Sequence, residues 1–237
     1  MILDPFWALC YGQRREIRSP RRSMAEILKV HPEDPSRWEF VLEYSTRLIL
    51  SGKVVAFPTD TFYGLAADPF NLAAISEVFR IKRRTPDRPL PLLVGSLDQA
   101  ADLALDPPRL FFTLAEKFWP GPLTLIVPAS RLVPFKVTAN TGKVGLRWPR
   151  APLAVAMIAA ADRPLTGTSA NVSDQRPCST AVQVDEQLGR VLPLILDAGP
   201  TKGKLPSTLV ELTGSGGRIL RQGGVREKDL KEYLEPS

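Results

Sequence analysis

The chain has 237 residues, 44% apolar and 24% charged, the balance of a globular protein large enough to bury a core. No apolar run approaches the roughly 20 residues that a membrane span needs, and the opening MILDPFWALC is no secretory leader, because Asp4 and Pro5 interrupt it and arginines follow. Two cysteines (Cys10, Cys178) and one histidine (His31) exclude a disulfide framework and a His/Cys zinc site, so no metal ligands and a reduced, cytoplasmic setting are expected.

The net charge of +6 invites a nucleic-acid reading. Half of it sits in residues 1–23, where Arg14, Arg15, Arg18, Arg21 and Arg22 outnumber Asp4 and Glu16. That segment lacks periodicity and reads either as a disordered basic extension or as a misplaced start ahead of Met24. Residues 24–237 read as one domain.

Ser36 and Glu39 have the spacing of a capping box, opening a helix that Gly52 closes. Residues 53–57 form a buried strand, 71–82 a helix with Leu72, Ile75, Val78 and Phe79 on one face, and 90–94 a strand. Ser96 and Gln99 begin another capped helix, and 108–118 is helical. Strands follow at 123–127 and 144–148, a helix at 151–162 and a short strand at 165–168. A helix opened by Thr180 and Gln183 runs to 188. Strands at 192–197, 207–212 and 218–221 finish the sheet, and 226–234 is a terminal helix. This irregular alternation predicts an α/β fold with a mixed sheet and flanking helices.

Four constellations carry chemistry. Thr59, Asp60, Thr61 and Tyr63 crowd a strand end, where sheets of this class hold ligands and where Thr and Asp equally form self-bonded turns. Lys82, Arg83, Arg84 and Arg88 surround a single Asp87, in an arrangement suited to polyphosphate or to a solvated helix end; Pro86 and Pro89 stiffen it. Gly167-Thr-Ser-Ala-Asn171 lets a backbone approach a ligand, or forms a plain polar loop. Ser207 and Arg221 could meet on the rim of a hairpin. No phosphate loop, no dinucleotide fingerprint and no triad histidine is present, so catalysis would rest on positioning and charge neutralisation.

Taken in order, PTDTFYGL (58–65), KRRTPDRPL (82–90), WPGPLTLIV (119–127), VGLRWP (144–149), TSANVS (168–173), PSTLVEL (206–212) and ILRQGGV (219–225) resemble the YrdC-like threonylcarbamoyl-AMP synthase family in its short form. The resemblance implies a twisted α/β sheet around a large open cavity. It also implies formation of threonylcarbamoyl-AMP and pyrophosphate from L-threonine, bicarbonate and ATP, with Mg²⁺ accompanying ATP. The product serves the N6-threonylcarbamoyladenosine modification of tRNA, with tRNA and other proteins of that pathway as partners.

By the same resemblance, Thr61, Arg147 and Ser207 bind threonine, and Tyr63 shapes the wall. Lys82 and Arg84 are catalytic, and Arg84, Arg88, Lys143, Ser169, Asn171, Cys178 and Arg221 contact ATP. Two departures stand out: Leu93 occupies a position where many relatives have a threonine-contacting His, and Asp174-Gln175 adds a residue before Cys178. The sequence ends soon after Arg226, so the further C-terminal domain of long-form relatives is not expected. A carbamoyl-phosphate-using relative and an RNA-binding module of the same fold are the alternatives; the first lacks its usual cysteine-rich companions, the second its interleaved aromatics.

Overall fold

The computed structural model describes residues 24–214 and 216–234. The expectations for residues 1–23, and Cys10 with them, lie outside the described residues. Elements run in the order β1 (Glu26–Lys29), α1 (Glu39–Leu50), β2 (Val55–Pro58), β3 (Tyr63–Ala66), α2 (Leu72–Lys82), β4 (Leu92–Leu93), α3 (Leu97–Leu103), α4 (Arg109–Phe118), β5 (Leu123–Pro128), β6 (Lys143–Arg147), α5 (Pro152–Ala161), β7 (Leu165–Thr166), β8 (Thr168–Ser169), α6 (Ala181–Leu188), β9 (Leu194–Asp197), β10 (Thr208–Thr213), β11 (Gly216–Arg221) and α7 (Glu227–Leu234).

The strands form two mixed sheets, not one. The first has the order β1-β9-β2-β3-β8 and the second β11-β10-β5-β6-β4-β7. The expectation that 192–197 continues into the last two strands is therefore corrected: β9 pairs in parallel with β1 and β2, whereas β10 pairs in parallel with β5. The segment between β9 and β10 crosses from one sheet to the other. The predicted strand 165–168 is likewise two strands. β7 joins the second sheet through β4, and one residue later β8 joins the first through β3. Gly167 makes that switch, because a Cβ there would lie 2.5 Å from Leu93 Cγ.

Local chemistry accounts for the helix ends. Gly52 has φ +85°, and the bonds Gly52 N–H to Ile49 O and Lys53 N–H to Leu48 O close α1 in a Schellman motif. Asn71, Ser96 and Thr180 cap α2, α3 and α6 with side-chain oxygens. The capping box at Ser36 does not form. Pro35 starts a 3-10 turn over Pro35–Arg37, the Ser36 hydroxyl donates to Asp34, and α1 begins at Glu39 with no side-chain cap.

In the second sheet, residues alternate between two destinations. Leu123, Leu125 and Val127 of β5, Val144 and Leu146 of β6, and Val210 and Leu212 of β10 enter the core; their sequence neighbours face the other side. On the first sheet, α1 and α5 pack together through residues such as Val41, Ile49, Leu153 and Met157. Among the described residues no helix is long and apolar enough to cross a membrane.

Candidate functional site

A cavity of about 720 Å³ lies where the two sheets face each other. Its floor is the non-core face of the second sheet: Thr124 and Ile126 of β5, Lys143, Gly145 and Arg147 of β6, Leu209 and Glu211 of β10, and Arg221 of β11. Strand register sets these in rows, Arg221 beside Leu209 and Leu209 beside Thr124, then Glu211 beside Ile126 and Ile126 beside Gly145. The opposite wall comes from the β2–β3 turn, the basic segment after α2, and residues 167–169.

The β2–β3 turn was expected to be a loop beyond a strand end. It is the four-residue link of a hairpin, with Phe57 opposite Gly64. The Thr59 hydroxyl donates to Phe62 O at 2.7 Å and accepts from Thr61 N–H at 3.1 Å, holding Thr61 inward. Arg147 approaches this turn from β6. Its Nη1 donates to Thr61 Oγ1 at 3.0 Å, Nη2 to Asp60 Oδ1 at 2.5 Å and Nε to Gly121 O at 3.1 Å. Tyr63 OH points away from the hydroxyl cluster, donating to Gly199 O at 2.8 Å, and burial raises its pKa.

The expected meeting of Ser207 and Arg221 occurs. Arg221 Nη2 donates to Ser207 O at 2.9 Å and to its hydroxyl at 3.3 Å, and Thr124 Oγ1 donates to that same hydroxyl at 2.8 Å. Burial first, and the charge of Arg147 second, depress the Arg221 pKa, so two guanidiniums share this end of the cavity.

Arg84 and Arg88 line the other side. Arg84 is braced by loop carbonyls, donating to Pro89 O at 2.9 Å and Arg88 O at 3.3 Å; burial, then Arg88, lower its pKa. Arg88 pairs with Asp174 at 3.2 Å in an exposed position. Lys143 reaches across to Glu211 at 2.7 Å, and Arg218 takes the second Glu211 oxygen at 2.9 Å, so the two cations hold that carboxyl below its usual range.

Three predicted site residues do not line the cavity. Lys82 is 2% exposed, and its ammonium donates to Ser169 O at 2.5 Å and Asn171 O at 2.8 Å. Burial, and then Arg84, push its pKa down to about 8. Asn171 is buried and spends its amide on Val172 O and Gln175 O. Cys178 is fully buried, which lifts its thiol to about 11. These residues brace the wall from behind, while Ser169 stays on its surface. Leu93, at the departing position, lines the cavity opposite Arg147 in register.

Thr124 and Glu211 had been assigned no role. Thr124 is the one hydroxyl residue of β5 and Glu211 the one charged residue of β10, and that contrast with their apolar neighbours is the signal that finds them.

A family model for the Sua5–YciO–YrdC domain, described as telomere recombination, matches residues 47–223. The chain belongs to the Sua5–YciO–YrdC family. Threonylcarbamoyl-AMP synthase of Pyrococcus abyssi is 34% identical over 196 residues, covering 83% of this chain and 58% of that protein. The threonylcarbamoyl-AMP synthase of Vibrio campbellii is 36% identical over 185 residues, covering 76% of this chain and 98% of that protein. The crystal structure of P. abyssi Sua5 complexed with L-threonine superimposes with a TM-score of 0.83 at 33% identity, covering 88% of this chain and 60% of that one. The chain thus spans little more than half the length of the archaeal relative. The Sua5–YciO–YrdC assignment takes in all the cavity-lining strands of the second sheet, β11 ending at Arg221 within the matched segment.

Proposed function

We propose that this chain is a nucleotidyltransferase that forms L-threonylcarbamoyl-AMP from L-threonine, bicarbonate and ATP, releasing pyrophosphate. The observation that carries this reading is that one cavity joins two complementary ends. Thr61, Arg147 and Ser207 suit a small hydroxylated amino acid with a carboxylate, and Arg221, beside Ser207, faces the nucleotide. Arg84, Arg88 and Lys143 suit the charges of a nucleotide.

In this reading the threonine amine and bicarbonate condense to a carbamate with loss of water. A carbamate oxygen then attacks the α-phosphorus of ATP, and the bond to the departing pyrophosphate breaks. Such in-line transfer asks for alignment and for cations on the phosphates more than for a strong base, which suits a cavity without histidine. Arg84 and Arg88 neutralise the phosphates, Ser169 meets the nucleotide, and Lys82, Asn171 and Cys178 hold that wall in shape. Mg²⁺ comes as the companion of ATP, and the carboxylates that line the cavity, Asp87 and Glu211, need not ligate it. The product, used for N6-threonylcarbamoyladenosine in tRNA, places the chain in the cytoplasm with tRNA and proteins of that modification as partners.

The test is incubation with ATP, bicarbonate and each of several amino acids, with mass detection of the adenylate. Threonine is expected to give the product, and Arg147→Ala to lose threonine-dependent pyrophosphate exchange while retaining ATP binding. Undiminished exchange in that variant would reject the role of Arg147.

A further inference from the structure

We infer that Asp60 is the positioning residue of the amino-acid subsite, aiming the Arg147 guanidinium at the carboxylate of the substrate; this rests on the reading of that cavity end given above. Arg147 has five N–H donors. Three are committed, to Asp60, Thr61 and Gly121, which leaves one N–H on each terminal nitrogen without an acceptor among the described residues. Because Arg147 lines the cavity, those two N–H groups are what a carboxylate would meet. Their direction is set by the three anchors, and only the Asp60 anchor carries charge. That anchor adds the attraction of opposite charges to its hydrogen bond, which the Thr61 hydroxyl and the Gly121 carbonyl do not.

Three further observations separate this role from simple neutralisation of a buried charge. First, Asp60 uses one oxygen only. Oδ2 is buried and has no partner among the described residues, whereas a carboxylate serving stability alone gains by engaging both oxygens. Second, the turn that carries Asp60 cannot drift. Thr59 ties it internally, and Gly203 presses on it from the segment between the sheets, where a Cβ would lie 2.5 Å from Thr61 Cα and 2.6 Å from Asp60 O. Third, Arg221 feels the charge of Arg147. Without Asp60 no carboxylate would offset the repulsion between the two guanidiniums, and Arg147, left with the neutral Thr61 and Gly121 anchors, would turn from the direction it now holds.

Steady-state kinetics of the full chain with Asp60→Ala, Asp60→Asn and wild type test this. Asp60→Ala is expected to raise the KM for threonine about tenfold or more while leaving the KM for ATP within about twofold, as removal of one member of a buried charge pair predicts. Asp60→Asn, whose amide oxygen still accepts from Nη2, should recover part of the loss, and its melting temperature checks the fold. A threonine KM unchanged within about twofold in folded Asp60→Ala, or in Asp60→Asn should the alanine variant not fold, overturns the inference and leaves the reading of the reaction standing. Equal losses for threonine and ATP would also overturn it, marking a structural role. Failure of the wild type to form the adenylate overturns the parent reading, and the inference with it.

Discussion

Lys82 shows how a single residue can be both legible and misread. Ile75, Val78 and Phe79 mark the buried face of α2, and Lys82 continues the same i, i+3, i+4, i+7 spacing, so its burial follows from the pattern that predicted the helix. Its membership of a cationic run concealed this. Arg83 then turns left-handed at φ 50°, the helical phase is lost, and Arg84 and Arg88 face the cavity instead. The native ammonium titrates near 8, against about 10.4 for an unfolded lysine. Between those values the unfolded chain holds the proton that the native protein has shed, so stability rises with pH across that window. Below it both states are charged and the cost of burial, on the order of 3 kcal/mol, is fully present. Urea midpoints followed from about pH 7.5 to 10 should therefore climb more steeply for the wild type than for Lys82→Met, whose side chain does not titrate. Parallel slopes would show that this ammonium is not desolvated in the native state.

At the scale of elements, periodicity and capping chemistry located the helices and most strands, because those signals are local. Partner choice is not local. Residues 165–168 read as one strand since nothing in four residues states that Thr166 pairs with Leu92 while Thr168 pairs with Leu65. Tyr63–Ala66 was missed for a similar reason: a glycine and a preceding polar turn conceal a strand that is fixed by its pairing with β2. The switch at Gly167 gives a direct test. An added methyl would overlap the Leu93 side chain, so Gly167→Ala should cost about 1–3 kcal/mol, the usual range for overpacking. Leu93→Ala alone should cost about 2–5 kcal/mol. Together they should cost less than the sum by about 1 kcal/mol, because each relieves the other. Strict additivity in denaturant titrations would mean that Gly167 is required for its backbone alone.

On the scale of the whole molecule, the presence of functional segments was readable before their arrangement. The seven motifs pointed to the cavity residues, yet a single mixed sheet would have set them along one edge. Two sheets instead set the Thr59–Phe62 turn and residues 167–169 against the floor built by β5, β6, β10 and β11. The cavity draws on both sheets, Thr61 and Ser169 facing Arg147 and Lys143, so a ligand touching both walls joins them and stabilises the fold by mass action. At a concentration of about 100 times its Kd a ligand adds about 2.7 kcal/mol, which for a chain of this size raises the melting temperature by about 5–10 °C. ATP with Mg²⁺, and threonine added to it, should each raise it further. Arg84→Ala should shrink the ATP increment more than the threonine increment, and Arg147→Ala should do the reverse. If both substitutions reduced both increments equally, the cavity would not have two separable ends, and the division of the site into a nucleotide side and an amino-acid side would have to be abandoned.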